Sequence, residues 1–107
     1  MEKREYHRFN TNLVVRYRIL ESLKLYDIAS SEDMSEKGIK IKIPDYIEPN
    51  TRLELIIKIP GDPPYIMVLG KVVWTKKDES GSFYTTGIHI VHIKEEDKQR
   101  FYKCAFS

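Results

Sequence analysis

The sequence predicts an all-β domain: a small closed barrel of about six antiparallel strands with one C-terminal α-helix. Three observations predict it. Apolar and polar residues alternate with period two in several short runs, the mark of half-buried strands. Proline, glycine and polar clusters separate the runs, with no helical pattern between them. The tail then changes to a helical period. For 107 residues, a closed barrel is favoured over a sandwich because closure leaves no exposed edge.

In residues 13–20, Arg16 and Arg18 alternate with Val15, Tyr17 and Ile19. Ile39, Ile41 and Ile43 alternate with Lys40 and Lys42, which reads as a solvated face of lysines over buried isoleucines. Leu53, Leu55, Ile57 and Ile59 repeat the pattern against Glu54 and Lys58. Residues 60–64, Pro-Gly-Asp-Pro-Pro, end that strand in a turn. A long β-rich run over 65–75 contains Gly70, a bend or bulge position. Residues 76–82, polar and holding Gly81, suit a hairpin loop, and 83–93 return as a strand. The spacing predicts a helix over 95–106. Phe101 and Ala105 are four apart with Tyr102 and Phe106 beside them, and Glu95, Glu96 and Asp97 occupy the first turn, as the helix dipole favours. The chain thus divides into an arm (1–10), a barrel (11–93) and a helix (95–106) of one domain. Burial of Tyr6 and Phe9 cannot offset the ordering cost of the arm, so it is expected to be flexible.

With 41% hydrophobic and 32% charged residues, a packed core is feasible. The single cysteine, Cys104, excludes an internal disulfide and reads as a buried structural thiol. No apolar run is long enough to span a bilayer, and no apolar stretch follows the first residues as in a signal peptide. A cytoplasmic setting without membrane insertion is expected. The net charge is only +2, but residues 1–18 hold five cations against two carboxylates, which suits a compact anionic partner better than a long duplex.

Enzyme chemistry finds little support. There is no glycine-rich phosphate loop and no nucleophile elbow. His89 and His92, three apart on one strand, would face opposite sides, and no second cysteine completes a zinc site with them or with His7. The expectation is a binding protein without a metal or a resident cofactor.

Two strings stand out. Arg4 and Arg8 form an Arg-x-x-x-Arg before the first strand. Asp33, Ser35 and Gly38 form an Asp-x-Ser-x-x-Gly, read as a tight loop between strands from which Asp33 and Ser35 project and which Gly38 lets close. Alone, the first is an ordinary solvated charge cluster and the second an ordinary turn. Together and in this order they resemble the PilZ domain, the bacterial receptor module for cyclic di-GMP. Residues 2–9 look like that family's basic opening. Gly70-Lys-Val-Val-Trp74 resembles its Gly-x-Val-x-Trp strand. Gly87-Ile-His-Ile90 resembles its later glycine-led strand, with Ile90 where an aromatic is usual. The resemblance runs from Glu2 to about Phe106.

The resemblance implies a six-stranded PilZ-type barrel with a C-terminal helix. It also implies that Arg4, Arg8, Asp33, Ser35 and Gly38 bind cyclic di-GMP, with Lys3 and Trp74 as further candidates. The chemistry is apt. Arginine pairs bidentately with phosphate or with guanine O6 and N7, and it stacks on purines. A carboxylate accepts from guanine N1–H and N2–H2, a role the resemblance gives to Asp33. Ser35 can donate to phosphate, and Gly38 leaves room for close approach. By resemblance the protein is a receptor or adaptor that changes conformation on binding and signals to an unidentified protein effector in motility, polysaccharide or biofilm control. Two other readings use the same residues. One is a small barrel that binds single-stranded nucleic acid, against which the modest charge and the Asp33 string count. The other is a PilZ-like protein-interaction scaffold, against which the intact arginine pair counts.

Overall fold

The computed structural model describes residues 13–22, 26–35 and 37–106, with side chains as far as Lys103. Six strands, β1 (Val14–Ile19), β2 (Asp27–Met34), β3 (Gly38–Ile43), β4 (Arg52–Lys58), β5 (Tyr65–Lys77) and β6 (Tyr84–Ile93), precede α1 (Glu95–Phe106). They close in the order β1-β2-β3-β6-β5-β4, with β4 returning to β1 and every pairing antiparallel.

The period-two runs place their apolar sets inside. Val15 and Tyr17, Ile39, Ile41 and Ile43, and Leu53, Leu55 and Ile57 are all buried. Each such aliphatic side chain contributes roughly 1.5–3 kcal/mol by leaving water. Phe101 of α1 is fully buried in the same core, and the helix packs on β5. Arg100 ties α1 to the turn after β4, donating to the carbonyls of Pro60, Pro63 and Tyr65. The Cys104 thiol and the 1–10 arm lie outside the residues and side chains described here.

Several expectations are revised. The strand between residues 20 and 39 is β2, and Asp33 is part of it rather than of a loop. Its inward residues Ala29 and Ser31 are small, and Met34, the third, falls out of step with them after the register shift, so apolar alternation does not reveal it. The hairpin loop begins at Asp78, because β5 runs on to Lys77. Its tight end is held by Asp78, whose Oδ1 accepts from the Ser80 hydroxyl and from the amide of Gly81, a residue in the left-handed region at φ 78°. The pairing of β5 with β6 shifts at Leu69/Gly70, as Gly70 suggested, and again at Val72/Trp74. At the first shift Leu69 pairs with His92 and Gly70 with Ile90, so Val91 is the extra residue. That bulge breaks the alternation, and His89 and His92 are both solvent-exposed instead of facing opposite sides.

Candidate functional site

One transverse row on the outer face of the barrel collects much of the motif chemistry. Asp33 on β2 pairs with Lys40 on β3, Lys40 with Gly87 on β6, and Gly87 with Trp74 on β5. Strand alternation explains the shared face. Ile39, Ile41, Thr86 and Ile88 point inward, so Lys40 and Gly87 point out. Asp33 joins them through a register shift in β2 between Ser31 and Asp33.

Gly87 is the gap in that row. A Cβ there would lie 2.3 Å from Trp74 Nε1 and 2.4 Å from its Cε2, so the indole rests directly on the Gly87 backbone. Trp74 is nevertheless 43% exposed, which leaves part of its ring to solvent. It is a surface aromatic held at a fixed place, not a core residue. Gly38 is a second gap, at the start of β3. A Cβ there would stand 2.8 Å from the Ile88 carbonyl oxygen. Its φ is not in the left-handed region, where the described glycines are Gly61 and Gly81. Gly38 is therefore required by the close approach of β3 to β6 and not, as expected, by a tight turn. The Ser35 amide donates to the Gly38 carbonyl at 2.9 Å and closes the short β2–β3 connection.

Both glycines line an open depression of about 240 Å³. Asp33, Ser35, Gly38 and Trp74 all line it, joined by Lys37, Lys40, Gly87 and His89. Lys40 Nζ lies 3.5 Å from Asp33 Oδ2, with both side chains half-buried. Such an ion pair is worth at most about 1 kcal/mol, so an incoming ligand can rearrange it. Of the sequence candidates, Arg4, Arg8 and Lys3 lie outside the described residues. Their segment joins the barrel at a defined point. The Leu13 amide donates to Ser31 Oγ and the Ser31 amide to the Leu13 carbonyl, both at 2.9 Å. The chain before β1 thus enters two residues from Asp33 along β2.

Sequence reasoning missed Lys40, which it read as solvated, and His89. Lys40 is recognisable only once β2 is set in register with β3.

A different arrangement occupies the wall formed by β1 and β4. Arg18 and Glu54 are register partners, and Glu54 Oε1 accepts from Arg18 Nη2 at 2.9 Å, from Arg18 Nε at 3.2 Å and from the Tyr26 hydroxyl. The hydrogen bonds from Tyr26 and then Arg18 hold the Glu54 carboxyl below the usual carboxylate range.

The chain belongs to the PilZ domain family, whose model matches residues 2–107. Solved structures share the fold at low sequence identity. The inhibitor of motility MotI/DgrA of Bacillus subtilis superposes with a TM-score of 0.78 at 20% identity over 98% of this chain. The PilZ domain of YcgR from Escherichia coli, determined with c-di-GMP, gives 0.70 at 10% identity, covering 98% of this chain and 90% of that one. MrkH of K. pneumonia in complex with c-di-GMP gives 0.72 at 13% identity over 97% of this chain. The chain spans half the length of the MotI and MrkH chains. No curated protein sequence matches it.

Proposed function

We propose that this PilZ domain is a cyclic di-GMP receptor and not an enzyme, and that it passes the signal to a protein partner. The observation that carries the reading is the convergence of Asp33, Ser35, Gly38 and Trp74 on one open depression. The ligand is compact, with two phosphates and two guanines. Asp33 accepts from guanine N1–H and N2–H2, Ser35 donates to a phosphate oxygen, and the exposed part of the Trp74 ring offers a stacking face. Arg4 and Arg8 supply the fork-shaped cations for phosphate or for guanine O6 and N7. Four residues lie between Arg8 and the anchored Leu13, five Cα steps with a reach of at most about 18 Å, ample to bring its guanidinium to the Asp33 row. Lys3 adds a further phosphate contact. The c-di-GMP complexes of YcgR and MrkH support the choice of ligand, and the name of MotI points towards motility as one process under such control.

Calorimetry tests the reading, with cyclic di-GMP as ligand and GTP, cyclic GMP and a single-stranded oligonucleotide as controls. Cyclic di-GMP should bind far more tightly than any control. Arg4→Ala and Arg8→Ala each remove one member of a ligand charge contact and should cost at least about tenfold in affinity. Asp33→Asn should weaken binding and narrow the preference for guanine over adenine. A wild-type protein that ignores cyclic di-GMP, or binds the oligonucleotide more tightly, overturns the proposal.

A further inference from the structure

We propose that Lys40 and Asp33 act together as the reader of a guanine's Watson–Crick edge, with Lys40 Nζ donating to O6 while Asp33 accepts from N1–H and N2–H2. This rests on the cyclic di-GMP reading and adds to it the residue that completes base choice.

The geometry points to it in three ways. Asp33 and Lys40 are direct register partners across β2 and β3 on the outer face, so their polar ends share one surface. Nζ lies 3.5 Å from Oδ2, which sets two acceptor oxygens and one donor side by side. On the other side of Lys40 the register partner is Gly87, on which the Trp74 indole rests, so the pair and an aromatic face lie in one row. Guanine presents donor, donor and acceptor in sequence along its edge: N2–H2, N1–H and O6. The Asp33–Lys40 pair presents acceptor, acceptor and donor, the complementary order. Adenine opposes it, since its ring N1 acceptor would face a carboxylate oxygen and its N6–H2 donor would face the ammonium group. Discrimination then comes from repulsion of the wrong base as well as attraction of the right one. Both side chains are half-buried, 31% and 18% exposed, so their contacts with a base are partly shielded from water.

The test titrates wild type and Lys40→Met with cyclic di-GMP, cyclic di-IMP and cyclic di-AMP. Inosine keeps N1–H and O6 and lacks the N2 amine. Wild-type binding of cyclic di-GMP, measured first, tests the receptor reading; the pattern of losses in Lys40→Met tests this one. Lys40→Met should lose roughly ten- to a hundredfold for both ligands that carry O6, and bind cyclic di-AMP at least as tightly as wild type does. Lys40→Arg should recover part of the loss. An equal loss for all three ligands would place Lys40 on a phosphate or in strand register alone and overturn the proposal, as would no loss at all. Where cyclic di-AMP binds too weakly to titrate, a crystal structure of the wild-type cyclic di-GMP complex decides. Nζ hydrogen-bonded to O6 supports the proposal; Nζ on a phosphate oxygen or turned to solvent overturns it.

Discussion

Two walls of this barrel carry the same pair of residue types, an acid and a cation in cross-strand register, and use them differently. On the β1–β4 wall, Glu54 receives two donors from Arg18 and one from Tyr26. On the β2–β3 wall, Asp33 faces Lys40 at 3.5 Å. Burial does not separate them, since the Glu54 side chain is 15% exposed and that of Asp33 18%. The neighbours do. The Glu54 row continues to the side chain of Leu69, whereas the Asp33 row continues through Lys40 to Gly87, where the part-exposed Trp74 indole takes the place of a side chain. A carboxylate oxygen that takes three hydrogen bonds holds strands together; a carboxylate that meets a single lysine at 3.5 Å is the one we offer to a ligand.

Adding a side chain at Gly87 should break the comparison most severely. Gly87→Ala puts a methyl group where the indole sits, so Trp74 must swing away. Base stacking on an aromatic is worth about 1–3 kcal/mol, so affinity for cyclic di-GMP should fall roughly ten- to a hundredfold. Trp74 is the single tryptophan of the chain, and its emission spectrum should shift in the same variant before any ligand is added. Retained affinity with an altered spectrum would show that the indole is not part of the ligand site.

Disarming the Glu54 row should do the opposite. Glu54→Gln should lower the melting temperature by a few degrees and leave cyclic di-GMP affinity unchanged. The effect carries a pH signature. Because the Glu54 carboxyl is held below its unfolded value by Tyr26 and Arg18, its stabilisation is complete above the usual carboxylate range and is lost as pH falls through the lowered value. The gap in melting temperature between wild type and Glu54→Gln should therefore be widest near neutrality and close under acid conditions. A gap that does not change with pH would contradict the hydrogen-bonded role of the carboxylate.

The contrast between the walls was only half legible in the sequence. Strands β1, β3 and β4 show themselves because Val15 and Tyr17, the three isoleucines of β3, and Leu53, Leu55 and Ile57 keep strict period two. β2 does not, since it buries Ala29 and Ser31 and exposes Ile28 at 67%. With β2 hidden, Asp33 looked like a loop residue and its partnership with Lys40 could not be seen. The importance of Gly38 and Gly87 was apparent, but not its cause. Gly38 answers to the Ile88 carbonyl, on a strand far along the chain, and Gly87 to the Trp74 ring across the β5–β6 hairpin, so neither cause is visible within its own strand. The bulge at Val91, which turns His92 outward, is marked only on the partner strand, by Gly70, and by nothing in β6 itself.

We place the ligand chemistry on the Asp33 row and not on the Glu54 row. Backbone amide chemical shifts of the isotope-labelled protein, recorded through a titration with cyclic di-GMP, test it most directly because both rows are observed in one spectrum. The largest shifts are expected at residues 4–8, 33–40, 74 and 87–89, with Arg16, Arg18 and Glu54 almost still. Shifts centred on Arg18 and Glu54, or spread evenly over both walls, would contradict it.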